Sequence, residues 1–416
     1  MKRVLNFLSF DIFGTGTKGG SGVDADDPIL GAHAGTPIAD ELTSLTYGYP
    51  WTLPSEANFG YNNAGVTGLE RHKIGVGAER RNTFVFQAGR GNNTNLKTTF
   101  WTAGIPDRGN PGVVGAKYGI RFGFNLTDFT EYPNPAAPIA MPASNVDVFF
   151  GSSSTPLVTR AVAGSRSYWA ISGISPNLCP DIIKGQPTHF EVEIGWENPG
   201  TGNAVVDVKL YVNGDLLYAA KPWSVSQTTI AQSRLRFTIQ ATATQAATYT
   251  NSFGLSDLMI SSCVDADGNW TAPLGPQVIL PAALETVTAS GWDTFGGVPM
   301  IQALTDGNDA TYVTSALDKT PMTANYNLRL PVGAEVNGVM MYGRVRRDVP
   351  ASAPMQLSTS LTRMSDGAIV ANDPNRAVTG VMNYQRIVNL VPNTVAGAAA
   401  LEFADSGKLA VQLKVS

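Results

Sequence analysis

The chain has 416 residues, a formal net charge of −4, and charged side chains at only 15% of its positions. Its 43 glycines and 26 prolines, together with so few charges, exclude a coiled coil, a helical bundle and a charge-rich disordered chain. The slightly acidic balance lacks the basic surface of a nucleic-acid-binding protein, and no apolar run approaches the roughly 18 residues of a membrane-spanning helix, so we expect neither partner.

Residues 1–80 show the least regular pattern. A glycine-rich stretch at 14–22 is followed by scattered aromatic residues such as Tyr47, Tyr49 and Trp51. We predict that residues 1–80 form an N-terminal assembly segment and the irregular start of the first sandwich. The segment either wraps a neighbouring subunit or covers a sandwich edge.

The next part of the chain alternates between apolar and polar residues. At 118–126 and again at 189–194, apolar side chains occupy the even positions. Arg121, Glu191 and Glu193 are among the polar residues at the odd positions. This period of two is typical of strands with one buried and one solvated face, so we expect the two glutamates to face water.

Short turns join these strands into antiparallel hairpins. Asn213-Gly214 is a two-residue hairpin turn, and a turn-rich segment at 197–203 precedes the strand at 204–212. Since no helix of crossover length intervenes, residues 81–262 are predicted to form a sandwich or jelly roll. Further strands are predicted at 82–87, 145–150, 167–171, 234–240 and 253–260.

The composition changes after β-rich residues 81–262. Residues 263–282 are polar and then proline-rich, with Pro273 and Pro276, and we predict a linker there. Alternation resumes in residues 283–416. They are predicted to form a second, smaller β-sandwich, which makes the fold class all-β.

Three segments of the first predicted sandwich occur in a characteristic order. They are a Phe-Glu-Val-Glu-Ile strand at 190–194, a Val-Lys-Leu-Tyr-Val-Asn-Gly hairpin at 208–214, and a late strand that contains Asp257. In this order they resemble the concanavalin A-like, laminin-G-like jelly roll. The resemblance implies a lectin-like sandwich over residues 81–262.

Three further segments, at 274–278, 304–313 and 336–346, resemble the C-terminal module of tailed-bacteriophage virion proteins, which directly follows a laminin-G-like domain there. The two resemblances together imply a non-enzymatic structural protein of the capsid, neck, tail or fibre. It would be made in the bacterial host cytoplasm and placed on the virion. The implied partners are other virion proteins, copies of the same chain in a symmetric oligomer, and a host surface glycan.

Two other functions stay open at this point. The first is a receptor-recognition lectin of the virion, which would bind a host glycan through an aromatic side chain and nearby polar groups. The second is a polysaccharide depolymerase. Glycan retention would distinguish the lectin, and digestion of polysaccharide would distinguish the enzyme.

Depolymerase chemistry would depend on Glu191, Glu193 and Glu197. Retaining glycoside hydrolases place two carboxyl groups about 5 to 5.5 Å apart. Those with this fold do so on one strand with the pattern Glu-x-Asp-x-Glu or Glu-x-Asp-x-x-Glu. In this chain Glu193 stands where the pattern has Asp, and the last carboxylate, Glu197, follows four positions later, beyond Gly195 and Trp196. We therefore favour three solvated carboxylates and predict no catalytic residue.

Ligand and metal candidates lie mostly in polar turns. Asp265, Asp267 and Asn269 offer oxygen ligands at alternate positions, as calcium requires, but the glycine and final glutamate of a calcium loop are out of place. A polar interdomain turn is the favoured interpretation, so no cofactor is predicted, and Ca²⁺ is the alternative. The ligand-binding candidates are Asp306, Asn308, Asp309 and Trp196. Asx side chains that bond their own backbone in a turn explain the first three equally well.

Cysteines and histidines give no further site. Cys179 and Cys263 are expected to pack as small apolar residues. His33, His72 and His189 are too far apart in sequence to suggest a metal pair. The chain shows no nucleotide-binding fingerprint.

Overall fold

The structure is a computed structural model. It describes residues 3–8, 51–52, 65–73, 80–89, 95–102, 113–128, 144–150, 157–163, 166–225, 235–242, 250–265, 267–277, 279–280, 282–305, 311–315, 320–330, 336–345, 347, 355–378, 385–392 and 407–416. In this part of the chain, a first compact unit extends to Ile279 and a second begins at Leu280.

Within the described residues the first unit contains fourteen strands. They are β1 (Arg3–Leu8), β2 (Trp51–Thr52), β3 (Gly65–Lys73), β4 (Arg80–Gly89), β5 (Asn95–Thr102), β6 (Lys117–Asp128), β7 (Ser144–Phe150), β8 (Val158–Ala163), β9 (Arg166–Ile171), β10 (Pro187–Glu197), β11 (Ala204–Val212), β12 (Asp215–Val225), β13 (Leu235–Thr242) and β14 (Thr250–Ser262). A short 3-10 turn, Pro176–Leu178, follows β9.

The described part of the second unit contains nine strands and a short helix. They are β15 (Ala283–Thr288), β16 (Trp292–Phe295), α1 (Met300–Thr305), β17 (Tyr312–Ser315), β18 (Met322–Asn327), β19 (Gly338–Val345), β20 (Met355–Arg363), β21 (Ile369–Val378), β22 (Gln385–Pro392) and β23 (Lys408–Val415). No helix in the described ranges is long and apolar enough to cross a membrane.

The strands of the first unit form two antiparallel sheets. One has the order β12-β11-β10-β6-β14-β4-β3, and β1 pairs with the second half of β14. The other has the order β2-β5-β13-β7-β8-β9. The register of the first sheet places Glu193 of β10 between Arg121 of β6 and Lys209 of β11.

The core of the first unit lies between these sheets. The even-numbered side chains of β6 and β10 point into it, and the rings of Phe124 and Phe190 stack with centroids 5.3 Å apart. Trp169 of β9, from the second sheet, packs edge-on against Phe190 at 5.5 Å. Its indole N–H donates to Oγ1 of Thr188 at 3.1 Å. Burial of these large rings strongly favours the sandwich.

The second unit is also layered. Its main sheet has the order β15-β18-β23-β20-β21, accompanied by the two-stranded ribbons β16-β17 and β19-β22. Leu361 and Val411 form one buried cluster, and Leu357 and Val378 form another. Met341 of β19 packs against both clusters, so this strand covers the main sheet.

The predicted fold class is confirmed, because a jelly-roll sandwich is followed by a second, smaller β-sandwich. Residues 1–80 contain three strands that sequence patterns did not predict. β1, β2 and β3 pair with β14, β5 and β4. The units divide at 279/280, inside the predicted linker 263–282.

Candidate functional site

The polar face of β6 and β10 is buried instead of solvated. Arg121 and Glu193 are each only 1% exposed, although one face of an antiparallel sheet commonly meets water. Residues 263–279, which we call the strap, follow β14 and bond to this face. The described residues of the strap belong to the first unit and include no named strand.

Glu193 is the centre of a buried ion cluster. Its Oε2 accepts a bond from Nε of Arg121 at 2.7 Å and lies 2.6 Å from Nη2 of the same side chain. Its Oε1 accepts a bond from Nζ of Lys209 at 2.7 Å. The hydroxyl of Tyr211 donates to Oε2 over a longer distance, 3.4 Å. Two cations therefore share one carboxylate.

This cluster alters the acidity of two side chains. Burial by itself would lower the pKa of Lys209, but the hydrogen bond to Glu193 and the charge of Glu193 outweigh it and raise that pKa. Burial, with the nearby charge of Glu193, raises the pKa of Tyr211. Both groups therefore keep their protons at neutral pH and act as donors.

Arg121 also binds the strap. Its Nη1 donates to Oγ1 of Thr271 at 2.9 Å and to the carbonyl oxygen of Ala272 at 2.8 Å. Its Nη2 donates to the carbonyl oxygen of Thr271. With the two contacts to Glu193, all five guanidinium N–H groups have partners. The arginine thereby joins a sheet carboxylate to the main chain of the strap.

Two further carboxylates receive main-chain N–H groups of the strap. Oε2 of Glu191 accepts from Leu274 at 3.1 Å, and Oε1 accepts from Gly275 at 2.6 Å. Oδ1 of Asp257 accepts from Ile279 at 2.9 Å. Asp257 lies where the register of β14 shifts, at a φ of 52°, a left-handed conformation that Asp tolerates better than most residues.

Asn125 links these groups to His189. Its Nδ2 donates to Oδ2 of Asp257 at 2.7 Å and to the carbonyl oxygen of Gln277 at 2.9 Å. Its Oδ1 lies 2.7 Å from Nδ1 of His189. Nε2 of His189 lies 3.4 Å from Oε1 of Glu191 and has no hydrogen-bond partner among the described residues.

Gly119 and Gly195 let the strap approach the sheet, and Gly123 makes room for Met259 of β14. A Cβ at Gly195 would lie 2.7 and 2.8 Å from two ring carbons of Trp270, and a Cβ at Gly119 would collide with Sγ of Cys263. A Cβ at Gly123 would meet the terminal methyl of Met259 at 3.2 Å. Glycine inside a strand is typical of such close approaches.

The two cysteines pack as predicted, since both are free and buried. Burial is the main cause that raises the pKa of Cys263 to about 12, and the charge of Glu193 adds to it. A thiol with such a pKa is protonated and unreactive at neutral pH.

The prediction that Glu191 and Glu193 face water is wrong. Both are buried, because the strap covers the face on which the alternation placed them. Glu197 lies at the exposed end of β10, four residues and roughly 13 Å along an extended strand from Glu193. The structure therefore does not bring Glu197 together with the other two.

The calcium candidates form a turn within the strap. Oδ1 of Asp265 accepts from the backbone N–H of Asn269 at 2.8 Å and of Asp267 at 3.0 Å. The bond from Asn269 is the main cause that holds the pKa of Asp265 below its usual value. No group of three or more His, Cys, Asp or Glu suited to a metal occurs in the described part of the chain.

Of the ligand-binding candidates, only Trp196 lies in the described part of the chain. Trp196 is buried and stacks on Tyr118 with ring centroids 5.7 Å apart, so its ring belongs to the packing of the sandwich. Asp306, Asn308 and Asp309 lie outside the described residues.

Trp270 is the exposed aromatic residue of the strap. Its exposed fraction is 37%, and Nζ of Lys209 lies 5.8 Å from its ring centroid. Its ring edge rests on Gly195, whose register partner on β11 is Asp207. Asp207 is partly exposed and lies 3.7 Å from Nζ of Lys221. We call Trp270, Lys209 and Asp207 the Trp270 patch.

Sequence reasoning did not identify Lys209, Tyr211 or Trp270 as parts of a site. The available signal was the position of Gly119 and Gly195. Both occupy the polar face of predicted strands, where glycine indicates that another backbone comes close.

No protein-family model and no curated protein sequence matches the chain. Solved structures with jelly-roll folds do match it. The catalytic domain of a glycoside hydrolase family 131 protein from Coprinopsis cinerea is 13% identical, with 62% of this chain and 98% of that chain covered and a TM-score of 0.29. An endo-β-1,4-glucuronan lyase from Trichoderma reesei is 11% identical, with coverage of 48% and 87% and a TM-score of 0.28. The carbohydrate recognition domain of Emp46p is 12% identical, with coverage of 54% and 91% and a TM-score of 0.25.

This comparison contradicts the prediction that the chain is not an enzyme, because catalytic domains of lyases and glycoside hydrolases predominate among these structures. We no longer hold that prediction. None of the three structures above is a virion protein. At these identities and TM-scores, the similarity concerns the fold alone and assigns neither an activity nor a substrate to this chain.

Proposed function

We propose that the first unit recognises a polysaccharide through the Trp270 patch. The observation that supports the proposal is the exposed indole of Trp270, which lies near Nζ of Lys209 and rests on Gly195, the register partner of Asp207. One face of a sugar ring carries C–H groups that pack on an aromatic ring, while its hydroxyls bond to polar groups at the rim. The patch offers both kinds of contact.

The attachment of the strap supports this function. Trp270 immediately precedes Thr271, whose carbonyl and hydroxyl oxygens accept bonds from buried Arg121. The indole is therefore held on the sheet before any ligand arrives. A fixed aromatic side chain loses little conformational entropy on binding.

The more specific roles are extensions of this proposal. Attachment to a virion, assembly with other virion proteins and a symmetric oligomer stay predictions from the sequence resemblance. Recognition of a host surface glycan would agree with them, but polysaccharide binding by the Trp270 patch does not depend on them.

The test is retention on immobilised polysaccharides, with neutral glucans and uronic-acid polymers in separate gels. We expect the protein to be retained by at least one of them and Trp270→Ala to weaken binding about tenfold, the scale of one good aromatic contact. Phe295→Ala is the matched control, because Phe295 is also an exposed aromatic, at 57%, and lies in the second unit. Failure to bind any polymer, or equal losses in both variants, would contradict the proposal.

The same incubations distinguish binding from cleavage. New reducing ends or unsaturated sugar ends, released by the parent protein from the polymer it binds, would add a depolymerising activity to the proposed recognition. Binding without new ends would limit the first unit to recognition of that polymer.

A further inference from the structure

We propose that the polysaccharide recognised by the Trp270 patch is anionic and contains uronic-acid residues, whose carboxylates bind Lys209. This inference rests on the proposed function and adds the chemical class of the ligand. It follows from the hydrogen bond of Lys209, from the charges around it and from its position beside the indole of Trp270.

Lys209 has hydrogen-bond donors to spare. An ammonium group has three N–H donors and no acceptor. Within the described part of the chain, one of them bonds to Oε1 of Glu193 at 2.7 Å. The side chain is 30% exposed, so the strap does not seal the ammonium group from solvent. The other donors are therefore available to a ligand while the bond to Glu193 stays in place.

The positive charge of Lys209 is only partly neutralised by its surroundings. Glu193 is a single anion shared by two cations, because Arg121 contacts its Oε2 and Lys209 contacts its Oε1. Asp207 is accompanied by its own cation, since Nζ of Lys221 lies 3.7 Å from its Oδ1. Three cations and two carboxylates thus leave an excess of positive charge beside Trp270.

The remaining carboxylates of this face do not use the charge of Lys209. Both oxygens of Glu191 accept main-chain N–H groups of the strap, and Asp257 accepts the N–H of Ile279. Glu191 lies four residues, roughly 13 Å, along β10 from Gly195, on which Trp270 rests. Main-chain dipoles therefore bind these two anions away from the indole.

Lys209 also keeps its charge at neutral pH. Burial opposes the charged form, but the hydrogen bond to Glu193 and the charge of Glu193 outweigh burial and raise the pKa of Lys209. Salt screens a partly buried charge less than an exposed one. A ligand carboxylate would gain a charge-assisted hydrogen bond there, which is roughly twice as strong as a bond between neutral groups.

The position of the ammonium group suits one uronic-acid residue. Nζ of Lys209 lies 5.8 Å from the ring centroid of Trp270. A sugar packed on the indole comes within about 4 Å of its carbon atoms, and a carboxylate oxygen bonds to Nζ at about 2.8 Å. Since the carboxylate carbon of a uronic acid is bonded directly to the sugar ring, a single residue reaches both groups. A neutral sugar offers only a hydroxyl at that place.

The first experiment compares each polymer in two charge states. Gels of polyglucuronate, polygalacturonate and polymannuronate are tested beside the same polymers after reduction of their carboxyl groups to alcohols, which keeps the linkages and removes the charge. The full chain should bind at least one polyuronate about tenfold more tightly than its reduced form. The net charge of −4 gives no general attraction to a polyanion.

The possible failures of this experiment are distinguishable. Equal binding of charged and reduced polymers, lost in Trp270→Ala, would contradict uronate selection and leave the proposed recognition standing. Binding of no polymer in either form would contradict the proposed function as well. The comparison uses the parent protein, so it tests the inference even where a variant fails to fold.

The second experiment tests Lys209 by substitution. Lys209→Gln removes the charge, while Glu193 keeps its contacts with Arg121. We expect this variant to bind charged and reduced polymer with nearly equal affinity, and Lys209→Arg to retain the preference. Lys184→Gln is the matched control, because Lys184 is also exposed and precedes β10, whose start lies roughly 26 Å along the strand from Gly195. Equal losses in Lys209→Gln and Lys184→Gln, or no loss in Lys209→Gln, would overturn the role of Lys209.

Discussion

Glu193 is stabilised by its partners and at the same time neutralises them. Arg121 and Lys209 both approach within 2.7 Å of its carboxylate oxygens, and Arg121 is 1% exposed. A buried pair adds little net stability compared with an apolar pair, but removal of one partner leaves a charge that water cannot reach. The carboxylate of Glu193 is therefore required to neutralise the buried charge of Arg121.

We expect Glu193→Gln to lower the free energy of unfolding by about 3–5 kcal/mol, because Arg121 and Lys209 lose their anion. Urea denaturation measures the change. Glu197→Gln is the matched control, since Glu197 is exposed at the end of the same strand, and it should change stability by less than about 0.5 kcal/mol. Equal losses of stability in the two variants would show that the buried cluster is not the cause of the loss in Glu193→Gln.

At the scale of elements, the strap is bound through its main chain. Three carbonyl oxygens and three N–H groups of the strap bond to four side chains of the sheet. Such contacts depend little on the strap's own side chains. The approach of the strap also depends on Gly119 and Gly195, which leave room for the side chains of Cys263 and Trp270.

Gly195→Ala should displace the start of the strap, because the new Cβ would lie 2.7 Å from the ring of Trp270. We expect the free energy of unfolding to fall by about 1–3 kcal/mol, the usual range for an overfilled site, and proteolysis within the strap to become faster. Gly123→Ala is the control, since its nearest neighbour is the movable methyl of Met259 at 3.2 Å. Slower or unchanged cleavage in Gly195→Ala would contradict this role of the glycine.

The alternation of the sequence predicted which face each side chain of β6 and β10 occupies, and the structure confirms that arrangement. It did not predict that Glu191 and Glu193 are buried, because burial of the second face depends on a segment about 80 residues away in the chain. That segment has no period of its own, and its prolines indicated a linker. Contacts between a backbone and distant side chains leave almost no local pattern.

At the scale of the whole molecule, the described chain divides at 279/280, and the strap lies on the first side of that division. A linker would end the first sandwich at Ser262, where β14 ends. The bonds of Arg121, Glu191, Asn125 and Asp257 to the strap make it a structural part of the first sandwich instead.

The most direct measurement compares the thermal unfolding of two truncated chains, 1–262 and 1–279. We predict that the longer chain unfolds cooperatively, whereas the shorter one loses several kcal/mol or fails to fold, because its charged face is left without the strap. Equal stability of the two chains would contradict the central claim that the strap closes the first sandwich.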